Sequence, residues 1–228
     1  MSTTIHTPLP NPTADADPNW QAFSAYLRLQ EIVEENSLAV RCYQGLDDGG
    51  RGYVKSSHLN HCLSLFHYGE NSRYAEHAEN LFGTRLDDYD YQKSLDELDN
   101  IFKLKAYKFT QSSLVFKGIS CAPFYTFMNL QSCNAGEFVF FPGFLSTSVC
   151  RQSAESFCRG EEGILLEISG LDLVDSIVPE NSTVKHSLTG DIPEQEILLC
   201  RNTHMRVDSV DREGSRNRVV SLRVTSGP

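Results

Sequence analysis

The chain changes texture at about residue 113, and that change restricts its fold more than any other feature. Beyond it come short apolar runs rich in Val, Ile and Phe: SLVFKGI, GEFVFFPGFLS, GILLEISG, EQEILLC, HMRVDSV and RVVSLRV. Runs of this length and composition, bounded by turn residues, are strands. Only one helical insertion, at about 151–159, interrupts them, so repeated strand–helix–strand units are absent. The pattern predicts an α+β fold with a mostly antiparallel β core over 111–228.

Upstream the apolar residues recur at helical spacing instead. Asp17-Pro18-Asn19 reads as a helix start, and Trp20, Phe23 and Leu27 then share one face up to about Glu35. After a Gly-rich turn at 45–52, Ser56-Ser57 can cap a helix whose Leu59, Cys62, Leu63 and Phe66 form a core-facing stripe. Tyr91, Leu95, Leu98 and Phe102 form another, while the polar 69–90 stretch has no clear period. This predicts a helical N-terminal lobe, 19–110, packed on the β core in a single domain. The polar, Pro-rich leader 1–18 is expected to be disordered.

Composition removes several function classes. Thirty acidic residues against twenty basic give a net charge of -10, and no Lys/Arg run can track a phosphate backbone, so nucleic acid is not an expected partner. The acidity is either a solvated surface or a face matched to a basic protein partner. Seven cysteines, an odd number without a CxxC pair, read as reduced thiols and offer no structural metal site. None sits in a nucleophile context that would suggest a thiol protease. No apolar run approaches the ~18 residues of a membrane span. The leader lacks the basic start and apolar middle of a cleavable signal peptide. It is either a plain tail or a leader read by a bacterial export machine.

Three strand-associated places hold polar residues that packing alone would not select. Alternation puts Lys117 on one face of SLVFKGI with Val115, and Phe116 on the other. Its ammonium is either in solvent or on an inward surface. Ser146, Thr147 and Ser148 follow an aromatic run; they cap the helix beginning near Arg151 or end the strand through side-chain bonds to backbone, or they form a polar site that both donates and accepts. Glu194 and Glu196 flank Gln195 at the start of ILLC, so strand alternation would set the two carboxylates side by side. They are an exposed pair, or a general base beside a carboxylate that stabilises positive charge, with one pKa raised by the other.

Taken in order, V-F-K-G, F-L-S-T-S and P-E-Q-E-I-L-L resemble the arginine-serine-glutamate class of mono-ADP-ribosyltransferases. That class carries an aromatic-Arg-Gly strand, an S-T-S strand and a Glu-x-Glu strand after a helical lobe. The resemblance extends over about 38–224, and AVRCYQGLDDGGRGYVKSSHLNHCL looks like the family's early turn and helix. It implies a two-sheet β core, NAD as co-substrate and no metal. Lys117 takes the place of the arginine that holds the NAD phosphates and ribose, and Gly118 would let the backbone approach the nicotinamide amide. Ser146 would orient the catalytic carboxylate and the ribose, with Thr147 and Ser148 beside it in the NAD site; Asn60 would support the nucleotide. Glu196 resembles the catalytic glutamate and Glu194 the residue that engages the incoming nucleophile. Arg151 or Arg159, in the loop 149–162, could meet a phosphate or simply be solvated. The loop 178–193 would read the target.

The resemblance implies a monomeric bacterial effector or toxin without a cleavable signal peptide. It would act in the host cytoplasm, moving ADP-ribose to an Arg or Thr of a host protein, with ubiquitin a candidate. Lysine replaces the planar, bidentate guanidinium by a point charge on a flexible stem. NAD glycohydrolysis, or a catalytically weak binding module on the same fold, are the alternatives.

Overall fold

The computed structural model describes residues 38–44, 59–60, 63, 91–120, 130–158, 163–179, 183–186, 190–213 and 217–227. The leader, the helix expected from Trp20, the 69–90 stretch, Arg159 and most of the helix expected after Ser56-Ser57 lie outside them. Three α-helices are described, α1 (Leu38–Gln44), α2 (Tyr91–Lys105) and α3 (Arg151–Glu155), with a single 3-10 turn at Leu171–Leu173. Leu59, Asn60 and Leu63 are also helical. The N-terminal helices expected on periodicity are thus present in part, but the described residues do not amount to a helical lobe.

The strands are β1 (Val115–Ile119), β2 (Phe138–Phe141), β3 (Leu145–Ser148), β4 (Ile164–Ser169), β5 (Ser176–Ile177), β6 (Thr183–His186), β7 (Gly190–Pro193), β8 (Glu196–Leu199), β9 (Thr203–Glu213) and β10 (Asn217–Thr225). GEFVFFPGFLS, one run in the sequence, is two strands. Pro142-Gly143 breaks it, because proline lacks the N–H that a ladder requires. β2 pairs with β9 and β3 with β8, in different parts of the sheet.

Among the described residues eight strands form one mixed sheet in the order β2-β9-β10-β4-β1-β3-β8-β5, and β6–β7 is a separate hairpin. Pairing is antiparallel except between β10 and β4. The expected two-sheet core is therefore replaced by a single sheet, and the reason lies in one position. β1 and β3 share the pair Phe116–Ser148, which joins the five-strand half β2-β9-β10-β4-β1 to the three-strand half β3-β8-β5.

The halves are also joined through their side chains. One buried cluster draws Val115, Ile164, Leu166, Val220 and Leu222 from the first half and Leu145, Ile197 and Leu199 from the second. The outer face of the second half, Phe144, Ile177 and Leu198, is covered by α1 and α2 through Val40, Tyr43, Leu98 and Phe102. Phe102 stacks on Phe144 with ring centroids 5.5 Å apart. Leu95, Leu98 and Phe102 are all buried, as the helical stripe predicts. On the outer face of the first half, α3 sets Ala154 against Phe116, Leu165 and Val219. Sheet side chains facing opposite ways thus serve different layers, as the two-residue period demands.

Candidate active site

The site lies where the two halves part. Beyond Phe116–Ser148, β1 and β3 have no further pair, and Lys117 Nζ reaches across to donate to the carbonyl oxygen of Ser146 at 2.9 Å. Lys117 is half-buried, and its strand neighbours Val115 and Ile119 enter the main core while Phe116 enters the α3 cluster. Of the two readings open for this lysine, the inward one is the structure's.

β3 and β8 run antiparallel, with Ser146 opposite Leu198, Thr147 opposite Ile197 and Ser148 opposite Glu196. Glu196 is 4% exposed. Gln44 Nε2, at the end of α1, donates to Glu196 Oε2 at 2.8 Å, and the Ser146 hydroxyl bonds the same carboxylate diagonally across the ladder. Burial, with the nearby negative charge of Glu194, pushes the Glu196 carboxyl up to about 7 against the pull of Ser146, Gln44 and Lys117. A carboxyl balanced near neutrality can be charged or protonated under ordinary conditions, and such groups concentrate at functional sites.

Glu194 and Glu196 are close enough to interact, but a regular strand does not place them. β8 begins at Glu196, and Gln195 has φ 48°, a left-handed conformation costly for a residue with a β-carbon. The turn is held by Ser148 Oγ, which donates to the Glu194 carbonyl at 2.6 Å, and by Val149 N–H, which donates to the Gln195 carbonyl at 3.3 Å. The expectation of two carboxylates on one strand face is corrected accordingly: Glu194 is displayed from a kinked turn.

The hydroxyl residues divide their work. Ser146 faces the carboxylate, whereas Thr147 is buried and its Oγ1 donates to the Ile197 carbonyl at 2.7 Å. Thr147 is therefore turned into the core, away from the Lys117–Ser146–Glu196 cluster. Ser148 Oγ accepts the Cys150 N–H at 2.9 Å, which ties the Glu194 turn to the start of α3. Cys150 is the N-cap of α3 and makes no side-chain cap bond, so helix capping does not account for the three hydroxyls; bonds to backbone at the strand end, the other structural reading, account for Thr147 and Ser148.

Gly118, Asn60 and Arg151 are each engaged within the protein. A β-carbon at Gly118 would overlap the Ala154 carbonyl oxygen, so close packing of α3 requires glycine here. Asn60 Nδ2 donates to the Tyr43 hydroxyl at 3.0 Å and to the Phe144 carbonyl at 2.9 Å, bracing α1 against the chain just before Ser146. Arg151 pairs with Glu155 and Glu167 at 3.0 and 3.2 Å. The segment expected to read a target contains the β6–β7 hairpin, ending one residue before Glu194. Among the described cysteines, burial pushes Cys158 up to about 11 and raises Cys200, so both are protonated near neutral pH. Among the described residues no group of His, Cys, Asp and Glu is placed to hold a metal ion, and no helix is long and apolar enough to cross a membrane.

Gln44 was not singled out in the sequence. It lies 152 positions from Glu196. Its signal, a polar residue directly after a core-facing Tyr43 at the end of an apolar face, is too common to identify a partner.

No protein-family model matches the chain, and no curated protein does. Solved structures do. The C3 exoenzyme of Clostridium limosum is 12% identical over 94% of this chain and 100% of its own, with a TM-score of 0.53. C3stau2 from S. aureus, solved with NAD, is 14% identical over 90% and 95%, with a TM-score of 0.50. The Vis toxin, an ADP-ribosyltransferase from Vibrio splendidus, is 15% identical over 96% and 88%, with a TM-score of 0.47. At these identities the likeness is one of architecture, and the architecture of this chain is an ADP-ribosyltransferase fold.

Proposed function

We propose that the protein is a mono-ADP-ribosyltransferase of the arginine-serine-glutamate class, with lysine in the arginine's place. It transfers ADP-ribose from NAD to an arginine or threonine of a host protein and releases nicotinamide. The observation that carries this reading is the convergence of Lys117, Ser146 and a buried Glu196 at the opening between β1 and β3. The three come from separate strands, in the order the sequence motifs imply.

NAD supplies a glycosidic bond whose cleavage frees nicotinamide and leaves positive charge on the ribose carbon. The residues present suit that chemistry. Of the three donors on the Lys117 ammonium, the Ser146 carbonyl takes one, and the others are available for phosphate or ribose oxygens. Glu196, in its charged form, accepts a ribose hydroxyl and places negative charge where positive charge develops. Ser146 orients that carboxylate. Glu194, presented from its kinked turn, takes the proton of the incoming nucleophile. Thr147 and Ser148 support the NAD site through the strand and the turn, Gly118 through the seating of α3, and Asn60 through the brace on α1.

The domain extends over 19–228 and acts as a monomer delivered by a bacterium into the host cytoplasm. The net charge of -10 suits a target with a basic face, which keeps ubiquitin, modified on threonine, as the named candidate. The β6–β7 hairpin beside Glu194 is the target-reading element.

The test is mass spectrometry of a host-cell lysate supplied with NAD and the protein. A protein adduct of the mass of one ADP-ribose, absent with Glu196→Gln, is the expected result. Free ADP-ribose without an adduct would replace transfer by hydrolysis. NAD left intact would overturn the enzymatic reading and leave a binding module.

A further inference from the structure

We propose that Gln44 is a positioning residue that holds the Glu196 carboxylate charged and oriented for the reaction. Its catalytic consequence rests on the function proposed above; the effect on the carboxyl itself does not.

The geometry is that of a clamp. Gln44 Nε2 lies 2.8 Å from Glu196 Oε2, a donor directed at a carboxylate almost wholly removed from water. A donor to a charged acceptor stabilises the charged form, and more strongly where water cannot compete. Gln44 is also held in place. The preceding Tyr43 is buried and donates to the Phe144 carbonyl at 3.1 Å; Asn60 bonds both the Tyr43 hydroxyl and that carbonyl. Phe144 stands two residues before Ser146, so one brace fixes α1, with Gln44 at its end, against the strand that carries Ser146. Among the described residues, the groups acting on Glu196 are Glu194 from the turn before β8, Lys117 from β1, Ser146 from β3 and Gln44 from α1. Of the three that favour the charged form, Gln44 alone comes from outside the sheet.

The experiment follows the Glu196 carboxyl by carbon NMR in the full-length protein with carboxyl-labelled glutamate, assigned by difference from Glu196→Gln. Gln44→Leu removes the donor and should raise the titration midpoint by about one pH unit, a ten-fold loss of the charged form below it. Gln44→Lys replaces a neutral donor by a cationic one and should lower the midpoint. Opposite shifts separate a direct bond from general loosening, which admits water and would lower the midpoint in both variants; a rise in Gln44→Leu alone, or in Gln44→Met if that variant does not fold, therefore tests the assignment. An unchanged midpoint, or shifts of the same sign, overturns it. Nicotinamide release read in the same samples keeps the two claims apart. A wild-type protein that leaves NAD intact while the midpoints shift as expected sinks the proposed function and spares the clamp. Release with unmoved midpoints does the reverse.

Discussion

Lys117 Nζ donates to the backbone carbonyl of Ser146 at 2.9 Å, across the opening where β1 and β3 cease to pair. The position is filled by a lysine point charge on a flexible stem, not by a planar fork. Its charge also favours the ionised form of Glu196. Lys117→Ala should therefore weaken NAD binding by about ten-fold or more and raise the Glu196 midpoint. Lys117→Arg keeps the charge and should hold that midpoint near the wild-type value. Calorimetry with NAD and a carboxyl titration check the two effects; equal NAD affinity in wild type and Lys117→Ala would contradict the role given to the lysine.

Among the described residues, Glu194 is the only like charge that raises the Glu196 carboxyl, after burial itself. Replacing it with Gln should shift the pH dependence of nicotinamide release to the acid side. Transfer to protein should fall much further than hydrolysis, because the residue proposed to take the nucleophile's proton is gone. Parallel assays of free nicotinamide and of protein adduct check this; equal loss of both would count against a separate role for Glu194.

Glu196 should destabilise the fold at neutral and higher pH. Its folded-state value, about 7, lies above the ordinary 4.5, so the folded state binds the proton more tightly than the unfolded one. Stability from this group is complete below about 4.5 and is lost as pH rises through about 7, a loss of roughly 3 kcal/mol. Glu196→Gln cannot ionise. Its thermal midpoint should exceed that of the wild type at pH values above about 8, with the advantage shrinking toward pH 5. A constant difference across that range would mean that Glu196 does not titrate as its burial dictates.

Gly118→Ala should cost about 1–3 kcal/mol, because the added methyl meets the Ala154 carbonyl and α3 has to move. Denaturant unfolding measures it. Because α3 begins at the turn that Ser148 ties to Glu194, the same substitution should also reduce transfer.

Where a local period decided the structure, the sequence was legible. Val115 and Phe116 face opposite cores as alternation requires, and Leu95, Leu98 and Phe102 share the buried face of α2. The order Lys117, Ser146, Glu196 survives in space because three strands carry it to one opening. Other features depend on long-range geometry with no local period. The two-residue β5 and the polar β6–β7 hairpin fall below the length and apolarity at which a strand reads as one. The merging of two expected sheets turns on the single pair Phe116–Ser148. The left-handed Gln195 breaks the alternation that would have set Glu194 beside Glu196, and nothing in a Gln between two Glu residues announces it. Gln44 reaches the site only because Tyr43 and Asn60 brace α1 against the residues before Ser146.

The most direct test of the account is nicotinamide release from NAD by the purified protein and its Glu196→Gln variant, followed between about pH 5 and pH 9. The wild type should release nicotinamide at a rate that rises through a midpoint of about 7, where the buried carboxyl becomes charged, and the variant should release none above background. Release by Glu196→Gln at the wild-type rate, or a wild-type rate indifferent to pH across that midpoint, would contradict the assignment of Glu196 as the group on which the reaction turns.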